Sequence, residues 1–183
     1  MPEDLSFLKI GQRYIVSGPV LTARDAAHRR MFETWSRGGS IPFEIEGETI
    51  FYVGPCPAPP GWIIGSAGPT TSGRMDRYTP ALLAHGLKGM IGKGPRSPEV
   101  IRAIVEHGAV YFAALGGAGA LTAKAVRRAE EVAYADLGTE AVRRLWFAEL
   151  PVVVAVDPAG GNLYEEGPKA YARSGAREGG MER

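Results

Sequence analysis

A single cysteine, Cys56, stands among 183 residues, and that scarcity excludes a good deal of chemistry. A disulfide needs two thiols and a four-thiolate metal or iron–sulfur site needs four, so chemistry that depends on several thiolates must take them from another chain. Charge of one sign is lacking too. Lys and Arg number 21 against 20 Asp and Glu, a formal net charge of +1, which gives no global field to draw the chain onto nucleic acid or anionic lipid. Long apolar runs are absent: the strongest, Val152 to Val156, is far shorter than the ~20 residues of a membrane helix and reads as a buried strand. The start, Met1-Pro2-Glu3-Asp4, carries no basic and apolar secretory leader, so the expectation is a soluble cytoplasmic protein.

What is present begins with length. A chain of this size buries roughly 70% of its unfolded surface and needs no staples, so a single domain over residues 1–171 is expected, followed by a disordered tail at 172–183. Sixteen of the basic residues are arginine. Most fit compositional bias or thermal adaptation, in keeping with 14 prolines, one Asn and one Gln. An arginine at a site, however, presents a rigid fork suited to carboxylate or phosphate.

Alternation at Gln12 to Ser17 predicts a strand ending at Gly18-Pro19, followed by a helix with Thr22 as N-cap and Ala26, Ala27, Met31 and Trp35 on one face. Residues 43–53, alternating about Gly47, predict a hairpin. Four prolines between Pro55 and Pro60 preclude regular structure, and Trp62 to Ile64 reads as a short strand. A small-residue loop at 65–74 then leads into a helix from Met75 to His85. A strand at 87–92 precedes a helix capped by Ser97, with Pro98 at its first position and Gly108 beyond its end. Strand Val110 to Leu115, turn Gly116 to Gly119 and helix Leu121 to Tyr134 repeat that order before Leu145 to Glu149 and the strand Pro151 to Val156. The recurrence predicts α/β layering with glycine-rich strand-to-helix turns and a partly parallel sheet.

Four segments could carry chemistry. Gly68-Pro-Thr-Thr-Ser-Gly-Arg-Met-Asp76 has the glycine spacing of a phosphate loop, but Arg74 and Met75 stand where that motif needs Lys and Ser or Thr. It remains a loop of hydroxyls and backbone donors with a cation, able to cradle a carboxylate or phosphate, or equally an ordinary capped turn. Arg24 and His28 lie four apart and share a helical face, although a lone histidine is more often a surface or cap residue. Lys93, between two glycines past a strand end, sits where open α/β sheets gather ligands; its neighbour Arg96 reads as solvated. Gly116-Gly-Ala-Gly119 is a weak match to a dinucleotide turn, and Cys56, between prolines, reads as a spectator.

Together SGPVLTARDAAH at 17–28, GPTTSGRMDRY at 68–78, GMIGKG at 89–94 and FAALGGAGAL at 112–121 resemble the β subunit, or carboxy-terminal domain, of the class I iron–sulfur hydro-lyases, which include fumarate hydratases and L-tartrate dehydratases. The resemblance spans about residues 10–165. It implies a swivelling β/β/α-type domain partnered by an α subunit, in an α2β2 assembly, that carries a [4Fe–4S] cluster on three cysteines of its own. It further implies that Arg24 and Arg74 clamp substrate carboxylates, that Thr70 and Thr71 line the pocket with Thr70 handling a proton, and that Lys93 completes the positive wall. Thr70, Arg74 and Lys93 are thus the implied catalytic residues. Leu137-Gly-Thr-Glu-Ala-Val142 looks more like the fumarase branch than the tartrate branch. A non-catalytic binding module for phosphate or a dicarboxylate is the alternative of another class.

Overall fold

A computed structural model describes residues 4–172 of the chain; the expected tail, apart from Ala172, lies outside the described residues. Short runs rich in apolar side chains form the strands β1 (Arg13–Thr22), β2 (Thr49–Phe51), β3 (Gly89–Gly92) and β4 (Val110–Ala113); β2, β3 and the last three residues of β1 are buried on both faces, whereas the start of β1 is largely exposed. These four run parallel in that spatial order. Two longer strands follow, β5 (Val126–Ala133) and β6 (Val142–Val156). The latter pairs antiparallel with β4 on one side and with β1 on the other, which closes β1-β2-β3-β4-β6 into a five-stranded barrel. Closure leaves no unpaired edge within that ring.

Side chains alternate across the barrel wall as the two-residue strand period requires. Val20, Phe51, Ile91, Phe112, Phe147 and Val154 belong to one buried cluster that fills the barrel, while their neighbours Leu21, Ile50, Met90, Tyr111 and Ala155 belong to a second. That second cluster is covered by α1 (Asp25–Ser36), α2 (Thr79–Ala84) and α3 (Pro98–His107), through Met31, Leu82, Leu83, Val100 and Ile104. Two further helices, α4 (Gly119–Ala125) and α5 (Leu163–Tyr171), lie later in the chain. Each fully buried Leu, Ile, Val, Met or Phe contributes roughly 1.5–3 kcal/mol, so the two clusters together hold the barrel and its helices as one unit.

The prediction for α3 holds to the residue: Ser97 accepts from Val100 N, Pro98 opens the helix, and Gly108 ends it at φ 58°. Elsewhere the chain departs from expectation. Strand β1 does not stop at Gly18-Pro19 but continues to Thr22 across a bulge, because β6 supplies a partner for its whole length. Thr22 is therefore a strand residue whose Oγ1 accepts from Arg143 N, and the N-cap of α1 is Arg24, without a side-chain cap. The expected hairpin at 43–53 is absent; only Thr49–Phe51 is strand, pairing in parallel on both sides, and Gly47 makes a turn at φ 73° while Ile45 drops into the helix-side core.

Residues Trp62 to Ile64 form no strand, and Trp62 and Ile63 are exposed. The helix expected at 75–85 is split into a 3-10 turn at Ser72–Met75 and the short α2, which starts at Thr79 with Pro80 in its first turn. Likewise the helix expected at 121–134 gives way after Ala125 to β5, an edge strand whose Arg128 and Glu130 are solvent-facing charges. The two segments expected around 145–156 are one strand, β6, which spans Pro151. Within the described residues no helix is long and apolar enough to cross a membrane.

Candidate active site at the carboxyl ends of the parallel strands

Parallel strands end on the same side of a sheet, so the residues that follow β1, β2, β3 and β4 converge there. Arg24 follows β1, Lys93 follows β3, and Gly116 to Gly119 follow β4. The long excursion after β2 returns to the same edge: Thr70 N donates to Tyr52 O at 2.7 Å, Lys93 N to Thr70 O at 3.3 Å, and Ser72 N to Lys93 O at 2.8 Å. Thr71 and Lys93 thereby form a parallel bridge, an extra rung laid on the barrel rim. All five predicted site residues, Arg24, Thr70, Thr71, Arg74 and Lys93, thus belong to one rim, with Thr70 buried and Thr71, Arg74 and Lys93 exposed.

What holds the loop is beneath it. The carboxylate of Asp76 accepts from Arg96 Nε at 2.7 Å and from Ser97 N at 2.6 Å. Arg96 then donates to Thr79 Oγ1 at 2.7 Å and Tyr52 OH at 3.3 Å, and its guanidinium stands 5.0 Å from the Tyr111 ring centroid. Its side chain is wholly buried, so the solvated arginine expected from sequence is instead the hub under the loop. Burial opposes its charge, but Tyr52, Asp76 and Tyr111 more than compensate, and its pKa lies above the ordinary arginine value. Alongside it Ser72 Oγ and Tyr111 OH lie 2.9 Å apart, and Tyr111 OH donates to Gly94 O at 2.8 Å. A side chain at Gly92 would collide with Ser72 Oγ and come within 2.8 Å of Tyr52 Cδ2, so glycine is what admits this close stacking of loop on strand.

At the surface of the same loop the two arginines meet a single carboxylate. Arg74 Nε lies 2.8 Å from Asp25 Oδ1 and Arg24 Nε lies 3.2 Å from Asp25 Oδ2. Arg24 Nε is also 3.2 Å from Glu140 Oε1, while Glu140 Oε2 accepts from Ala26 N at 2.6 Å in the first turn of α1. The nearest nitrogen in each contact is Nε, and among the described residues the terminal nitrogens of both guanidiniums make no hydrogen bond and can meet a ligand. Such a pair can take the two carboxylates of a small dianion in forked contact. Asp25, Glu140 and Arg96 carry no site signal in the sequence: Glu140 appears there only within the fumarase-like Leu137-Gly-Thr-Glu-Ala, and its partnership with Arg24 exists only in the fold.

His28 is not at the surface. It is wholly buried, with Nδ1 3.0 Å from Arg24 O and its ring edge-on to Tyr52 at 5.3 Å. A carbonyl only accepts, so Nδ1 carries the proton and Nε2 is left buried with no partner among the described residues. Burial lowers its pKa to about 4, and Arg96 adds to that depression. The imidazole is therefore neutral near pH 7 and acts as packing behind Arg24. Cys56 is exposed and lines a hollow of about 360 Å³ with Ile63, Ile64, Thr139 and Arg143. Among the described residues no group of three His, Cys, Asp or Glu could hold a metal ion, and the single cysteine of the sequence cannot supply the thiolates of an iron–sulfur cluster.

Comparison with known proteins gives this rim a family. Residues 1–167 match the family described as the fumarase C-terminus. The chain is 35% identical over 90% of its length to the aerobic class I fumarate hydratase of Salmonella typhimurium, of which it covers 29%. Against the β subunit of L(+)-tartrate dehydratase of Escherichia coli it is 33% identical over 93% of its length and covers 86% of that subunit. A third relative, the putative L(+)-tartrate dehydratase β subunit of Methanocaldococcus jannaschii, is 34% identical, with 90% of this chain and 87% of the relative covered. The chain thus spans under a third of the length of the fumarate hydratases it matches and nearly the whole of the separate β subunits. It belongs to the fumarase C-terminal family, the β-subunit and carboxy-terminal domains of the class I hydro-lyases.

Proposed function

We propose that the chain is the β subunit of a two-subunit class I fumarate hydratase that interconverts fumarate and (S)-malate together with an α subunit in an α2β2 hetero-oligomer. The observation that carries this reading is the convergence of Arg24 and Arg74 on Asp25 at a rim that also bears Thr70, Thr71 and Lys93. Coverage of 86% and 87% of separate β subunits supports a stand-alone subunit of the swivelling β/β/α type, and Glu140 within Leu-Gly-Thr-Glu-Ala favours fumarate. A [4Fe–4S] cluster belongs to the α subunit in this reading, since one exposed cysteine cannot hold it.

The work assigned to this chain is electrostatic. Dehydration of a 2-hydroxydicarboxylate removes a weakly acidic proton beside a carboxylate, and negative charge accumulates there. Arg24, Arg74 and Lys93, carried on the barrel rim, bind the two carboxylates and stabilise that charge as it develops. Thr71 lines the pocket, and Thr70, flanked by these cations, handles the C3 proton.

The test is anaerobic mixing with a cluster-loaded α subunit. Hydration of fumarate should appear only when both chains are present, and its absence under those conditions would reject the assignment. L-Tartrate dehydratase is the second reading, favoured by the two β-subunit relatives, and turnover of L-tartrate in preference to fumarate by the same complex would select it.

A further inference from the structure

We propose that Asp25 is a positioning residue for catalysis, a shared counter-ion that aligns the guanidiniums of Arg24 and Arg74 end-on to the substrate. The inference rests on the hydro-lyase reading of the rim. Asp25 opens α1, so its carboxylate is already favoured by the first turn of the helix, and it is half-buried between the two cations. Its two oxygens are divided: Oδ1 meets Arg74 Nε at 2.8 Å and Oδ2 meets Arg24 Nε at 3.2 Å.

A guanidinium offers a side edge that includes Nε and an end edge made of its two terminal nitrogens. Asp25 is nearest Nε in each case, by a hydrogen bond from Arg24 and a charge contact with Arg74, and the end edge is what remains for a carboxylate. The contact also offsets the repulsion between two cations that a single carboxylate brings together. Arg74 gains most, because its side chain is 53% exposed and would otherwise rotate freely. Arg24 is tied a second time by Glu140, so Asp25 is the residue that fixes Arg74 relative to Arg24. One carboxylate serving two arginines sets their separation, and with it the spacing of the two carboxylates a substrate must present.

The test uses the reconstituted two-subunit enzyme and a double-mutant cycle. Asp25→Asn keeps the shape and removes the charge, and misalignment of a binding group by about an ångström costs on the order of 100-fold. The loss should fall on kcat more than on KM, since the substitution also removes a negative charge beside a dianionic substrate. Arg74→Met alone should abolish most activity. In the Arg74→Met background, Asp25→Asn should cost less than about threefold more, because its effect is transmitted through Arg74. Full additivity of the two losses, wild-type kcat/KM in Asp25→Asn, or a loss carried by KM alone would overturn the counter-ion role. Wild-type activity in Arg74→Met would instead reject the hydro-lyase reading of the site, so the two failures are separable.

Discussion

Two guanidinium–carboxylate contacts lie on opposite sides of one loop, and they do different jobs with the same chemistry. Beneath the loop, Arg96 and Asp76 meet at 2.7 Å with the arginine side chain fully buried and every direction occupied by Tyr52, Thr79 or an aromatic face. Above it, Arg74 and Asp25 meet at 2.8 Å with half of the arginine in solvent and its terminal nitrogens uncommitted. The lengths barely differ; burial and saturation do. A saturated, dry ion pair locks geometry and strongly penalises the loss of either partner, whereas a wet, unsaturated one costs little to rearrange and can trade water for a ligand. The loop is thus fixed from below so that its upper face can bind.

That contrast can be broken from below with the largest effect. Arg96→Leu leaves the partly buried Asp76 without its cation and Thr79 and Tyr52 without their donor, and the chain should lose about 3 kcal/mol of unfolding free energy in denaturant titration. From above, Arg74→Met should leave the denaturation midpoint near that of the parent, yet lower kcat/KM of the reconstituted enzyme about 100-fold, the cost of one missing donor to developing charge. A stability loss for Arg74→Met as large as that for Arg96→Leu would erase the distinction between the two faces.

A third experiment sharpens the lower face by pH. His28 has its pKa depressed from 6.5 to about 4 by burial, so below 6.5 the unfolded chain takes up a proton that the folded chain refuses. Stability from this group is complete above 6.5 and falls as pH drops toward 4, by roughly 3 kcal/mol across that window. His28→Phe should flatten that part of the pH–stability curve, and an unchanged slope would contradict the neutral buried imidazole. The smallest effect belongs to an exposed pair: Glu99→Ala removes the 3.2 Å contact with Arg102 and one carboxylate from the first turn of α3, and should lower the thermal midpoint only slightly.

Much of this was legible in the sequence where local chemistry decides. Ser97-Pro98 and Gly108 bound α3 because capping is a property of adjacent residues. The alternation at 43–53 misled because a strand needs a partner, and only Thr49–Phe51 finds one, in parallel, from distant segments. Arg127 to Ala133 read as helix because paired charges look amphipathic at either period; pairing with β6 makes them an edge strand. At the site, the loop at 68–76, Arg24 and Lys93 were visible as residue types. Asp25, Glu140 and Arg96 were not, since what defines them is contact across the fold: Glu140 reaches Ala26 over 114 positions.

The closure of the barrel carries a consequence for how the chain acquires its structure. The first strand pairs along nearly its whole length with the last, Arg13 opposite Val153 and Thr22 opposite Arg143. On a ribosome, β1 and the Arg24 that follows it must wait for residues 142–156 to emerge before their hydrogen bonds are complete. Contacts of such sequence separation are the slow ones to form, because the intervening chain must first be closed into a loop. The side of the rim that carries Arg24 is complete only then. A nascent chain interrupted before β6 would display the motif at 68–76 without the barrel that orients it, and would expose β1 as an unpaired edge open to other strands.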